Sequence, residues 1–237
     1  MKDFVCSLLF ASVAPLATNA AIVLFEDFED SAVAYSLSDA EASDGLNDYW
    51  GRVDSDGISI SAANSFGTPP SGTSFFAAED IGKDPGITGT GYVTFENVAI
   101  AGLADLSIGA YFASSYESGY FWSDGDLVTV QYQIDGGGYT DLFQITHNGS
   151  GRAAVDSNFD GLGEGTTIGQ FQPFSWAIEG TGSLLDLRIG AASLGGAVSI
   201  AFDDVSVSGT AIPEPKTYAL VLGSLAAFGL AFRRRQA

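Results

Sequence analysis

Between residues 126 and 134 the apolar and polar side chains alternate: Val128, Val130, Tyr132 and Ile134 point one way, Leu127, Thr129, Gln131 and Gln133 the other. This period of two is the pleat of a β-strand, and it rules out an amphipathic helix. Asp135-Gly136-Gly137-Gly138 then supplies residues that tolerate positive φ, and Tyr139–Thr146 returns as the partner strand of a hairpin. The same alternation predicts strands at Ala21–Phe28, Gly57–Ala62, Ser74–Ala78, Tyr92–Ile100, Leu106–Ala113, Arg152–Val155, Phe171–Ile178, Leu184–Ile189 and Val198–Val207. Turn signals such as Thr68-Pro69-Pro70, Asp84-Pro85-Gly86 and His147-Asn148-Gly149 separate them. Roughly ten strands at this spacing predict an all-β domain, a two-sheet jelly-roll-like β-sandwich, with a closed barrel as the alternative. The stretch Asp30–Asp56 has no sustained period and is expected to be a surface excursion. Tyr49-Trp50 in its middle is read as an aromatic plug or a sugar-stacking pair.

The charge narrows the partners. The net charge is −20, and between residues 21 and 211 the bases are Arg52, Lys83, Arg152 and Arg188 alone. Phosphate-rich ligands are repelled, so nucleic acid is not an expected partner, whereas divalent cations are natural counter-ions. The single cysteine, Cys6, falls in the leader described next, which excludes disulfides and thiolate chemistry from the domain.

Both ends carry address-like segments. Lys2, the apolar run Phe4–Leu16 and the small residues Thr18-Asn19-Ala20 form a signal peptide, residues 1–20, with signal peptidase expected to cut after Ala20. The domain occupies residues 21–209 and a linker 210–217, which contains Pro213-Glu214-Pro215. A hydrophobic segment at residues 218–232 and a basic tail at 233–237 with Arg233, Arg234 and Arg235 complete the chain. As a helix, 218–232 would span roughly 22 Å, short of the ~30 Å hydrocarbon core, which suits a temporary stop in the inner membrane with the arginines on the cytoplasmic side. Pro-Glu-Pro, short span and basic end, in that order, resemble the PEP-CTERM sorting signal of bacterial exosortase substrates; an ordinary tail anchor is the alternative. The resemblance implies an exosortase-type processing enzyme as partner. It also implies passage from an inner-membrane-anchored precursor to the cell surface or extracellular matrix, in association with exopolysaccharide or biofilm.

Two groups of oxygen-bearing side chains are candidate calcium sites. Asp156, Asn158 and Asp160 alternate ahead of Gly161, as in the first six positions of an EF-hand-like loop, and Glu164 stands at the ninth. Thr167 at the twelfth excludes an EF-hand proper, and an Asx-rich turn without metal is the alternative. The second group lies at the domain's two ends. Alternation along Val198, Ile200 and Phe202 slips by one before Val205 and Val207, which predicts a β-bulge at Asp203-Asp204. A carboxylate turned inward there requires a cation or a base. Phe28-Glu29, with Asp27 beside it, and Phe202-Asp203-Asp204-Val205 resemble the ends of calcium-stabilised jelly-roll modules of carbohydrate-binding and other extracellular proteins. The resemblance implies a structural calcium shared by Asp27, Glu29, Asp203 and Asp204.

Tyr116, Tyr120 and Trp122 are candidate glycan-stacking residues, with loop packing as the alternative. His147 lies beside an Asn-Gly turn without a nucleophile elbow or a second metal-ligand histidine, and no catalytic residue is assigned. The leading expectation is an exported, non-enzymatic surface or matrix protein. A carbohydrate-binding module is the alternative, and a secreted hydrolase ranks below both.

Overall fold

The computed structural model describes residues 20–30, 34–43, 48–53, 66–81, 87, 89–116, 121–195 and 198–212, with Tyr116 described by its backbone only. The leader, the predicted strand Gly57–Ala62, Tyr120 and the sorting tail from Pro213 lie outside them.

Among the described residues there are thirteen strands and no helix. They are β1 (Ala20–Glu26), β2 (Ser36–Leu37), β3 (Ala42–Ser43), β4 (Tyr49–Val53), β5 (Phe75–Glu79), β6 (Thr90–Ala99), β7 (Leu103–Tyr116), β8 (Leu127–Ile134), β9 (Thr140–His147), β10 (Ala153–Asp156), β11 (Gln172–Ala177), β12 (Leu184–Ala192) and β13 (Val198–Ala211). The first sheet runs β11-β7-β13-β5-β4-β3, with β1 also on β13; the second runs β10-β9-β8-β12-β6-β2. Every pairing is antiparallel, and the two sheets form the expected jelly-roll-like sandwich.

Aromatic residues fill the space between the sheets because small β-rich chains have few leucines to do so. Phe76 stacks on Phe202 at 5.1 Å, Trp50 meets Phe76 edge-on at 4.8 Å, and Phe28 sits 5.8 Å from Phe202. Each is buried, and removing such a ring from water contributes about 2–3 kcal/mol. A smaller apolar cluster covers the far side of the first sheet, where Tyr49, Phe66, Phe75, Ala77 and Ala201 pack together. β5 is therefore buried on both faces, which explains its unbroken apolar run Phe75-Phe76-Ala77-Ala78.

One expectation needs correction. Tyr49-Trp50 is not a plug in a loop: it opens a true strand, paired with β5 from Tyr49↔Glu79 to Val53↔Phe75. Tyr49 joins the outer cluster and Trp50 the inner one, so both rings are fully buried and neither is open to a sugar. A five-residue strand buried on both faces shows no alternation to read.

Candidate metal centre

The predicted bulge is present and has a structural cause. Along one edge β13 stays on β7; along the other it pairs with β5 through Phe202 and with β1 from Val205. Asp203-Asp204 spans this change of partner, the register shifts there, and Asp204 adopts φ +50°.

Asp203 is fully buried. Its Oδ1 accepts the Asp204 N–H at 2.8 Å, and its Oδ2 has no hydrogen-bond partner among the described residues. Burial pushes its carboxyl up to about 8, and the Asp204 and Asp27 carboxylates push the same way against the N–H groups of Asp204 and Ser71.

The first strand delivers the other acids to this seam. Glu26 is buried and binds the N–H groups of Phe28 at 2.9 Å and Ala34 at 3.0 Å, holding Phe28 at φ +56° with its ring in the core. Asp27 accepts the Glu29 N–H at 3.2 Å. Glu29 Oε1 accepts N–H groups from Thr73, at 2.7 Å, and Ser74. Its carboxylate rests on Gly72, where a Cβ would come within 2.1 Å of it. The Ser71 hydroxyl donates to Asp204 Oδ1. Glu29, Asp203 and Asp204 thus meet one short segment, Ser71–Ser74, with the Asp27 carboxylate near Asp203; no three of the four predicted ligands bring oxygens within 4.8 Å of one another. The fit to a hard cation rests on the orphaned Asp203 oxygen and on the all-oxygen donor set. Glu29 is the member that takes two backbone donors on one oxygen.

The second candidate is a loop closed by its own side chains. Asp156 is buried; its Oδ1 accepts the Phe159 N–H at 2.7 Å and its Oδ2 the Gly161 N–H at 2.8 Å. Asn158 Oδ1 binds the Asp160 N–H, and Asp160 Oδ1 the Leu162 N–H, each at 3.0 Å. The Ser157 hydroxyl donates to Glu164 at 2.6 Å and holds that carboxyl below its usual range. Asp156, Asp160 and Glu164 offer oxygens within 4.8 Å of one another, the only such acidic trio among the described residues. Asn158 is drawn in through its amide, which donates to Asp160 Oδ2 at 3.2 Å. The loop is therefore both the Asx-rich turn and a set of convergent oxygens, each with a lone pair to spare.

The glycan-stacking expectation fails at Trp122. Its ring is 2 % exposed and its Nε1 donates to Ser114 Oγ at 2.9 Å, so it serves packing. The Tyr116 side chain and Tyr120 lie outside the described residues. His147 closes β9 and places Nε2 2.9 Å from the exposed Asp124 carboxylate.

Sequence reasoning missed a stack on the open face of the second sheet. The Arg188 guanidinium lies 3.6 Å from the Tyr139 ring centroid and 4.2 Å from that of Tyr92. The outward phase of β6 and β12 is legible in the sequence; that these strands and the turn before β9 bring the three residues together is not.

No family model matches the chain, and no curated protein does. Among solved structures it is similar to the K1 cleaved adhesin domain of Lys-gingipain from Porphyromonas gingivalis, at 12% identity and TM-score 0.45, covering 80% of this chain and 97% of that one. It is also similar to the CBM22-1 xylan-binding domain of Paenibacillus barcinonensis Xyn10C, at 8% identity and TM-score 0.39, covering 84% and 100%. A third is a Stig cyclase from Fischerella, at 14% identity and TM-score 0.41, covering 82% and 100%. These likenesses concern the fold alone.

Proposed function

We propose that this chain is an exported, non-enzymatic protein of the cell surface or extracellular matrix, sorted by its PEP-CTERM-like tail and fastened by calcium where its first and last strands meet. The observation that supports the calcium part of the reading is Asp203, a fully buried carboxyl with an oxygen unpartnered among the described residues, near Asp27 and Asp204 in a chain of net charge −20; the terminal segments support the sorting part. A buried, unpaired charge costs several kcal/mol, and without cysteines in the domain a bound cation is the available cross-link between β1, Ser71–Ser74 and β13. Asp203, Asp204, Asp27 and Glu29 would hold that ion, and Asp156, Asn158, Asp160 and Glu164 a second, more exposed one. An ion that binds only the folded state raises its unfolding midpoint. Thermal unfolding in calcium and in chelator tests this: the midpoint rises in calcium, and equal midpoints refute the calcium reading.

Carbohydrate binding is the second reading, and exopolysaccharide is the partner that fits a matrix location. It is favoured by the aromatic stack of Tyr92 and Tyr139 around Arg188, since aromatic planes beside polar side chains match the two kinds of surface a sugar ring presents.

A further inference from the structure

We propose that the open face of the second sheet is the docking platform for a neutral polysaccharide chain. This takes up the carbohydrate-binding reading above and gives it a place and a ligand class. The sheet's inward phase is core: Val93, Phe95, Val130, Leu187 and Ile189 are buried. Its outward phase forms two aligned polar rungs. In one, Thr94, Arg188, Gln131 and Asp141 are cross-strand neighbours on β6, β12, β8 and β9. In the next, Tyr92, Gly190, Thr129 and Gln144 occupy the same four strands, with Gly190 and Thr129 buried and Tyr92 and Gln144 partly exposed.

The Tyr92 ring lies over Gly190, where a Cβ would come within 2.6 Å of the ring and 2.8 Å of Thr129 Oγ1. A glycine inside a strand weakens it, and here it is what allows an aromatic plane to lie against the sheet. Arg188 is held between Tyr92 and Tyr139, and its Nε donates to Gln131 Oε1 at 2.7 Å. Gln131 in turn donates to Asp141 at 2.6 Å, and Gln133 to Asp186 at 2.7 Å. These side chains are fixed before any ligand arrives, which lowers the ordering cost of binding.

The platform continues into a hollow at each edge. Gln144, at the end of the second rung, lines a cleft of ≈ 540 Å³ together with Phe159 and Asp160. Thr94, at the start of the first rung, lines one of ≈ 310 Å³ with Tyr35 and Glu96. Phe159 is 43% exposed and held at φ +62° by its hydrogen bond to Asp156, so an aromatic side chain stands at the far end of the run as well. From β2 to β9 the face crosses five strands, about 20 Å, which suits an extended chain rather than a single small molecule.

Charge selects the class. Arg188 is the one cation among these face residues, its planes are covered by tyrosines, Asp141 lies on its rung, and Asp186 and Glu96 act on the same Tyr139. Uronate-rich polymers are repelled by these carboxylates and by the whole chain. The hydroxyls of a neutral polymer find amide and carboxylate partners instead.

The test is affinity electrophoresis and calorimetry of the chain with soluble xylan, mixed-linkage β-glucan and galactomannan as neutral probes, and alginate and polygalacturonate as acidic ones. The wild-type chain should bind at least one neutral polymer. Tyr139→Ala and Arg188→Ala should each weaken that binding about tenfold or more. Amide exchange on the wild-type chain, which does not depend on variants folding, should slow across β8 and β9 when the polymer is added. Neutral binding that survives both variants, or that leaves β8 and β9 unprotected, overturns the platform while leaving carbohydrate binding standing. Binding of acidic polymers only overturns the proposed class, and no binding to any probe removes the carbohydrate reading as well.

Discussion

Asp203→Asn is the substitution that bears most directly on the strand seam. In the metal-free protein the Asp203 carboxyl is pushed up to about 8, by burial first and by its acidic neighbours next. In the unfolded chain it titrates near 3.9. Between those values the folded chain keeps a proton that the unfolded chain has released, so stability falls as pH rises, by up to about 1.4 kcal/mol per pH unit. Across the whole window the loss approaches about 5 kcal/mol, a large part of the ~5–15 kcal/mol that holds a typical domain together. Below pH ~4 both states are protonated and the penalty is absent. Calcium takes the proton's place, so its effect should grow from pH 5 to pH 8.5. At a thousandfold excess over Kd it contributes about 4 kcal/mol, or about 8–16 °C in midpoint for a domain of this size. Scanning calorimetry at both pH values, in calcium and in chelator, reads all of this. In chelator the wild-type midpoint should fall with pH more steeply than that of Asp203→Asn, and calcium should restore the wild type far more than the variant. Equal pH slopes, or equal calcium responses, would refute the reasoning.

Three further outcomes follow from particular contacts. Calorimetric titration should find two calcium ions per wild-type chain and one in Asp160→Asn, with a smaller calcium-induced midpoint shift in that variant because the loop ion's share of the stabilisation is lost. Glu26→Ala strips the acceptors from the Phe28 and Ala34 N–H groups and should cost about 1–3 kcal/mol in denaturant unfolding, with weakened calcium binding as the turn carrying Asp27 and Glu29 loosens. Gly190→Ala drives a methyl into the Tyr92 ring and should cost about 1–3 kcal/mol while lowering neutral-glycan affinity; an unchanged affinity would show that Tyr92 takes no part.

The strands that face core on one side and solvent on the other were legible in the sequence, because alternation records that asymmetry. The β8–β9 hairpin and the slip at Asp203-Asp204 are examples. β4 was not legible: Tyr49 and Trp50 are buried on opposite faces of one sheet, so no polar phase marks the strand. The seam acids were legible as candidates because a bulge leaves a trace in the period. The contact of Ser71–Ser74 with Glu29, Asp203 and Asp204 was not, since it depends on the start of β5 meeting the end of β1 along β13. The Tyr92, Arg188 and Tyr139 stack was hidden for the same reason: it joins β6, β12 and the turn before β9, which are distant in sequence, and each residue alone looks like an ordinary solvent-facing side chain.

Native mass spectrometry of the protein recovered from its own cell envelope tests the central claim, an exported domain that is trimmed at both ends and holds calcium. The expected species is lighter than the 24.6 kDa chain by its leader and sorting tail, and retains calcium. The intact 24.6 kDa chain, or a trimmed chain free of calcium, would contradict the account.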